Sequence, residues 1–177
     1  MKVGNLCWMI GLAALLGFTG NARATSTALV VETGVGISQF DASSTEWSKT
    51  GSFIINKTAE CTNASAVAYG RGAVYVYDAA NVPSAREIKK YSTTGTYLGT
   101  FIKIPNMTPD CMAVSPDGVY LYFSCAWGAP YNNIVYRYRL SDGEGGAFLT
   151  GFNVPRELSF DAAGNLYVAD RNSKVVK

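Results

Sequence analysis

The chain has 177 residues, 48% of them hydrophobic and 16% charged, a balance that supports a buried core and excludes a disordered polymer. Its net charge of +2 comes from scattered Lys and Arg, without a basic stripe or an acidic tail, so nothing electrostatic points to nucleic acid or anionic lipid as a partner. Histidine is absent, which removes the commonest general base and transition-metal ligand and leaves carboxylates, Tyr, Lys, Arg or Cys for any chemistry.

Residues 1–24 read as a cleaved leader. Met1 and Lys2 give a basic start, Leu6 to Phe18 form an apolar stretch, and Ala22-Arg23-Ala24 places small residues at cleavage spacing. The stretch is short against the roughly 20 residues that span a bilayer as a helix, so export is preferred to an uncleaved anchor. The mature chain, residues 25–177 beginning at Thr25, is then expected in a periplasm, in the medium or on the cell surface, with no membrane span. Cleavage discards Cys7 and leaves Cys61, Cys111 and Cys125 in an oxidising compartment. Three thiols fit one disulfide plus a free thiol, or a partner supplied by further sequence.

The next stretch, GVGISQFDASSTEWSKTGSFIIN, is β-like, and Ile37 to Phe40 follows the pattern of Ile88 to Tyr91 further along. Residues 28–57 are therefore expected to form the outer half of a sheet.

Three segments then superimpose without gaps: Ser65 to Asp78, Cys111 to Ser124 and Glu157 to Asp170. Their turn glycines, Gly72, Gly118 and Gly164, recur at a period of 46. Each segment is an alternating run, a turn ending in Gly, and a second run rich in Tyr, Val and Leu, which is the pattern of a β-hairpin. Hairpin turns are expected at Arg71-Gly72, Asp117-Gly118 and Ala163-Gly164. Further β-like stretches follow, with turns at Ser92-Thr93-Thr94-Gly95 and Ser141-Asp142-Gly143. Four strands in forty-odd residues is the size of one propeller blade. The expected fold is all-β: an incomplete β-propeller of four-stranded antiparallel blades. Its blades would be residues 61–104 and 107–153, with residues 155–177 the inner part of a blade that stops short. Propellers use about four to eight blades, so the chain reads as an N-terminal fragment.

The run GNLYVADRNSKVVK, preceded by PRELSF, resembles the NHL repeat, as does MAVSPDGVYLYFS with its proline-aspartate-glycine turn. The resemblance covers roughly Ala28 to the end and implies an exported bacterial NHL-type propeller. The family has no single function, so the resemblance speaks for fold more than activity.

In a propeller the inner strand of each blade starts, and the second strand ends, on one face at the mouth of the central channel. Asn63, Asp110, Arg156 and Glu157 are the expected side chains there. Propellers of the gluconolactonase and regucalcin kind hold a divalent metal at this mouth through oxygen ligands, which suit a hard cation. In this chain the blades share no ligand position and Arg156 brings positive charge to the ring, so no cofactor is expected on the preferred reading. The streptogramin lyase kind uses a histidine on this face, and the chain has none.

The loop Cys125 to Asn133 is expected to carry Trp127 and Tyr131 to the same face, where aromatic rings offer flat apolar area at low entropic cost. The competing expectation is that Trp127 folds under the loop. Asp78 and Asp170 are expected as turn caps. Cys61, Cys111 and Cys125 are expected near one rim, with Cys61 to Cys111 the favoured disulfide and Cys125 to Cys111 its competitor. A thiolate metal site lacks a fourth ligand. Tyr75, Tyr77, Tyr120, Tyr122, Tyr136, Tyr138 and Tyr167 alternate as residues packed between blades would. Asn56, Asn63 and Asn106 head glycosylation triplets that matter only in a host that modifies them. The functional expectation is a non-catalytic module presenting one face to a protein, peptide or glycan. The alternative is a metal-dependent hydrolase of the lactonase kind, or a lyase, completed by further blades.

Overall fold

The computed structural model describes residues 11–16, 27–32, 35–41, 48–55, 58–173 and 175–176. They form four antiparallel sheets. The first comprises β1 (Gly11–Leu16), β2 (Thr27–Glu32), β3 (Gly36–Asp41) and β4 (Ser48–Ile55). The second comprises β5 (Ala64–Gly70), β6 (Ala73–Asp78), β7 (Glu87–Ser92) and β8 (Tyr97–Lys103). The third comprises β9 (Pro109–Val114), β10 (Tyr120–Cys125), β11 (Ile134–Arg139) and β12 (Gly145–Leu149), and the fourth β13 (Pro155–Phe160), β14 (Leu166–Asp170) and β15 (Val175–Val176). Each sheet is an up-and-down meander in chain order. The inner strands β1, β5, β9 and β13 lie next to one another, so the sheets fan out from a common axis as blades of an incomplete propeller. Among the described residues no helix is long and apolar enough to cross a membrane.

The second and third sheets are the two complete blades expected. Residues 28–57 supply three strands rather than an outer pair. The stretch expected as a leader contributes β1, whose Leu16 pairs with Thr27 and whose Gly11 pairs with Val31. The remainder of residues 1–24, the cleavage point included, lies outside the described residues.

The hairpin turns fall where glycine places them. Arg71 and Gly72 both take positive φ, 50° and 70°, the left-handed pair that matches the twist of two flanking strands. Gly118 and Gly164 take the same region at the other two turns.

The gap-free repeat, however, sets each strand of the third sheet one residue out of register. The turn between β5 and β6 has two residues, since Gly70 pairs with Ala73. Between β9 and β10 it has four, closed by the Ser115 N–H donating to the Tyr120 carbonyl. Val67, Val74 and Val76 face the first sheet, and the residues facing backwards from the third sheet are Met112, Leu121 and Phe123, 45 residues on for the inner strand and 47 for the second. A shift of one residue inverts a strand's faces, so the structural counterpart of Asp78 is Cys125, not Ser124.

The core lies between sheets. Leu29, Ile37, Val74, Val76 and Tyr91 fill the first interface. Tyr75, Tyr77, Leu121, Phe123 and Tyr136 fill the second, where Phe123 stacks on Tyr136 with ring centroids 5.1 Å apart. Tyr122, Val135, Leu158 and Val168 fill the third. The alternating tyrosines are thus packing residues, with one exception. Tyr167 is exposed because it lies on the face of β14 turned away from the third sheet.

Candidate functional site

The strand pairs that open each blade place Ala64 opposite Asp78, Pro109 opposite Cys125 and Pro155 opposite Asp170. These ends share one face of the molecule. Asp78 and Asp170 act there as caps. Asp78 accepts the N–H groups of Thr62 and Asn63 at 2.9 and 2.8 Å, and Asp170 accepts that of Asn153 at 2.9 Å.

Asp78 also holds a partner that sequence reasoning missed. The ammonium of Lys89, on the third strand of the blade, lies 2.8 Å from Asp78 Oδ2 and donates to the Glu60 carbonyl at 2.9 Å. Tyr91 Oη donates to the same carbonyl at 2.7 Å. Burial pushes the Asp78 carboxyl up, but Lys89 and the two backbone N–H groups outweigh it and hold the group below the ordinary aspartate value. Lys89 is correspondingly raised: burial opposes its charge, and the hydrogen bond and attraction of Asp78 prevail. Lys89 shares its strand face with the buried Tyr91, whereas the adjacent Lys90 lies over the Tyr75 ring on the other face.

Four of the proposed site residues converge between the third and fourth blades. Asp110 Oδ2 accepts the Ala126 N–H at 2.9 Å, and Oδ1 is paired with the guanidinium of Arg156. Arg156 in turn lies 5.8 Å from the centroid of the Trp127 ring. Trp127 is 50% exposed, so it stands on the loop instead of folding under it. Glu157 follows on β13, exposed, with Cys111 beside it. Burial lifts the Asp110 carboxyl above its ordinary range despite the Ala126 N–H and Arg156. Glu157 is raised as well, by desolvation first, with Cys111 and Arg156 pulling the other way. The result is an exposed indole beside a cation already paired with a half-sequestered acid.

Asn63 and Tyr131 do not join this group. Because of the register shift, the position matching Asp110 and Arg156 in the second blade is Ser65. Asn63 instead binds its own rim, with Nδ2 3.4 Å from the Ala79 carbonyl. Tyr131 packs against the interface of the second and third blades and accepts the Tyr136 hydroxyl through its carbonyl at 3.2 Å.

The cysteine expectation is corrected. Cys61, Cys111 and Cys125 are free thiols, each buried in a different interface: Cys111 and Cys125 lie on opposite faces of the third sheet, and Cys61, in the segment leading into β5, packs into the first interface. The pairing of Cys61 or Cys125 with Cys111 is absent. Burial pushes the three thiols up to about 11, about 12 and about 12 in chain order, which suppresses the reactive thiolate. In the leader-free chain, a thiol reagent at pH 8 is expected to label none of the three while native and all three in denaturant without reductant. Fewer than three in denaturant would show a disulfide.

Among the described residues no group of three or more Cys, Asp or Glu could hold a metal ion. No protein-family model matches the chain, and no curated protein matches it. Solved β-propellers do. A chain of the nidogen/laminin complex matches with a TM-score of 0.62 at 16% identity, over 86% of this chain and 53% of that one. The PQQ-bound aldose sugar dehydrogenase of Streptomyces coelicolor matches with a TM-score of 0.58 at 16% identity, over 90% and 57%. A gluconolactonase of Xanthomonas campestris matches with a TM-score of 0.59 at 15% identity, over 81% and 52%. The chain thus spans about half the length of the structures it matches, and at these identities the likeness establishes the propeller fold alone.

Proposed function

We propose that this chain is part of an exported NHL-like β-propeller that binds a protein, peptide or glycan on the face where its inner strands begin, without catalysing a reaction. The observation that carries the reading is the half-exposed Trp127 beside the Arg156–Asp110 pair. An indole held by a neighbouring cation presents apolar area with few rotamers to lose, which is what binding anchors do. Asp110 is already satisfied by Ala126 and Arg156, which leaves it poorly disposed to ligate a metal. Among the solved neighbours the nidogen/laminin complex is a binding assembly, which agrees with this reading. The gluconolactonase and the sugar dehydrogenase keep an enzymatic alternative in view, built on a divalent metal and residues of further blades.

Export rests on the leader reading of residues 1–24. Cleavage before Thr25 would remove β1 and open the inner edge of β2.

Immobilised oligosaccharide and peptide arrays probed with the secreted protein test the binding. Trp127→Ala is expected to weaken the strongest binder at least tenfold, about 1.4 kcal/mol by the usual conversion, while leaving the thermal midpoint unchanged. Lactone turnover that requires added Ca²⁺ or Mg²⁺ and survives Trp127→Ala would favour the enzymatic alternative instead.

A further inference from the structure

A cleft of about 300 Å³ lies on the outer part of the third sheet, far along the blade from the rim, lined by Tyr120, Arg137, Arg139, Glu144 and the run Gly145 to Phe148. Its floor is built around Arg137, whose guanidinium lies 4.6 Å from the Tyr120 ring and 4.1 Å from the Phe148 ring. Tyr122 meets Phe148 edge-on at 5.5 Å. Arg137 has no hydrogen-bond acceptor among the described residues, and Phe148 and Leu149 are 39% and 37% exposed. Taken alone, these features resemble a site for a small anionic ligand.

The same arrangement occurs one blade earlier, where it is covered. Lys90 lies 6.0 Å from the Tyr75 ring, and Tyr75 meets Phe101 edge-on at 5.2 Å. Each of these three residues precedes its counterpart, Arg137, Tyr122 and Phe148, by 47 positions. There, Leu140 and Tyr138 of the following blade pack over the cluster, and the turn after β11 presses on β8. A side chain at Gly143 would fall 3.0 Å from Ile102 and 3.5 Å from the Phe101 carbonyl oxygen. The first interface repeats the joint: a side chain at Gly95, in the turn after β7, would fall 3.0 Å from the Phe53 carbonyl oxygen. Both glycines take positive φ, 76° at Gly143 and 88° at Gly95. In two successive interfaces, then, a left-handed glycine in the outer turn of one blade rests on the outer strand of the blade before it.

We infer that the open cleft on the third sheet is the seat for the outer turn of the fourth blade, supplied by continuation of this polypeptide beyond β15, and not a small-molecule site. The cleft continues an interface already made at its inner end, where Tyr122 meets Phe160 at 5.1 Å. The turn that fits carries a left-handed glycine, so that its backbone can close on β12, and a large apolar residue about three positions earlier, as Leu140 stands to Gly143. Its carbonyl groups supply the acceptors that Arg137 lacks. Gly95 and Gly143 are 48 residues apart, so the seating glycine is expected at about position 191 of the continuous chain.

The test expresses the polypeptide from its native gene to its natural stop, alongside the chain ending at Lys177, each with Phe148→Cys. Thiol labelling is expected to be at least tenfold slower at position 148 in the longer protein, while Val82→Cys, exposed on a loop, labels equally in both. Equal labelling at 148 would overturn the inference. So would a continuation without a turn glycine near position 191, a native gene product that ends at Lys177, or citrate binding to the longer protein that Arg137→Ala abolishes. If Phe148→Cys impairs folding, Ala147→Cys serves for the same comparison.

Discussion

Replacing Asp78 with Ala is expected to cost about 3–5 kcal/mol of stability, the usual cost of removing one partner of a buried ion pair. The change strands the Lys89 ammonium, nearly sealed from solvent, with only the Glu60 carbonyl and the more distant Glu87 carboxylate, 3.4 Å away. It also leaves the Thr62 and Asn63 N–H groups without their acceptor, loosening the chain that leads into β5. The double change Asp78→Leu with Lys89→Met is expected to recover much of the loss, because paired apolar residues avoid both desolvation costs. Lys49→Ala, which breaks the exposed pair with Glu32, should barely register in the same chemical denaturation series. The pH dependence follows from the two shifts. Asp78 is depressed in the folded state, so its contribution is full above the ordinary aspartate value near 3.8 and fades as pH falls through the lower folded value. Lys89 is raised, so its contribution is full below about 10.5 and fades as pH climbs through the higher folded value. The wild-type protein should lose stability at both extremes, and the Leu/Met pair should flatten both losses.

Gly145→Ala is expected to be the most damaging single-methyl addition in the third blade, at about 3 kcal/mol, the upper end for overpacking. The added Cβ would sit 2.1 Å from the Arg137 carbonyl oxygen and 2.7 Å from the Tyr138 Cα, both backbone atoms of the adjacent strand. Neither can yield without breaking the pairing of Tyr138 with Gly145 and Arg137 with Gly146. Its neighbour supplies the control, since a methyl at Gly146 meets nothing within 4 Å. Gly146→Ala should leave the thermal midpoint within a degree or two. Equal destabilisation by the two changes would mean that β12 does not pair as described.

The strands and turns were legible because two signals agree at each hairpin: period-two alternation and a glycine where the backbone turns left-handed. The register was not. Superposition on the turn glycines assumes equal turns, and the pair of residues added around Ser115-Pro116-Asp117-Gly118-Val119 is invisible when both flanks are β-like. That one-residue displacement put Ala64 in the place of Ser65 opposite Asp110 and matched Asp78 to Ser124. Asp110, Arg156 and Glu157 were legible because topology alone brings strand starts together. The Asp78–Lys89 pair was hidden: Lys89 and Lys90 are adjacent and only the register decides which of them is buried. The free cysteines were misread for the same reason, since proximity along a rim says nothing of which interface each thiol enters.

The account makes the strand-start rim, not the outer strands, the surface on which a partner lies. Hydrogen exchange on the secreted protein, with and without the strongest binder from the arrays, measures this directly. Slowed exchange is predicted in the loop from Ala126 to Tyr131 and at the start of β13 from Pro155 to Glu157, with β8 and β12 unchanged. Protection confined to Gly145 to Leu149, with the rim exchanging as before, would contradict it.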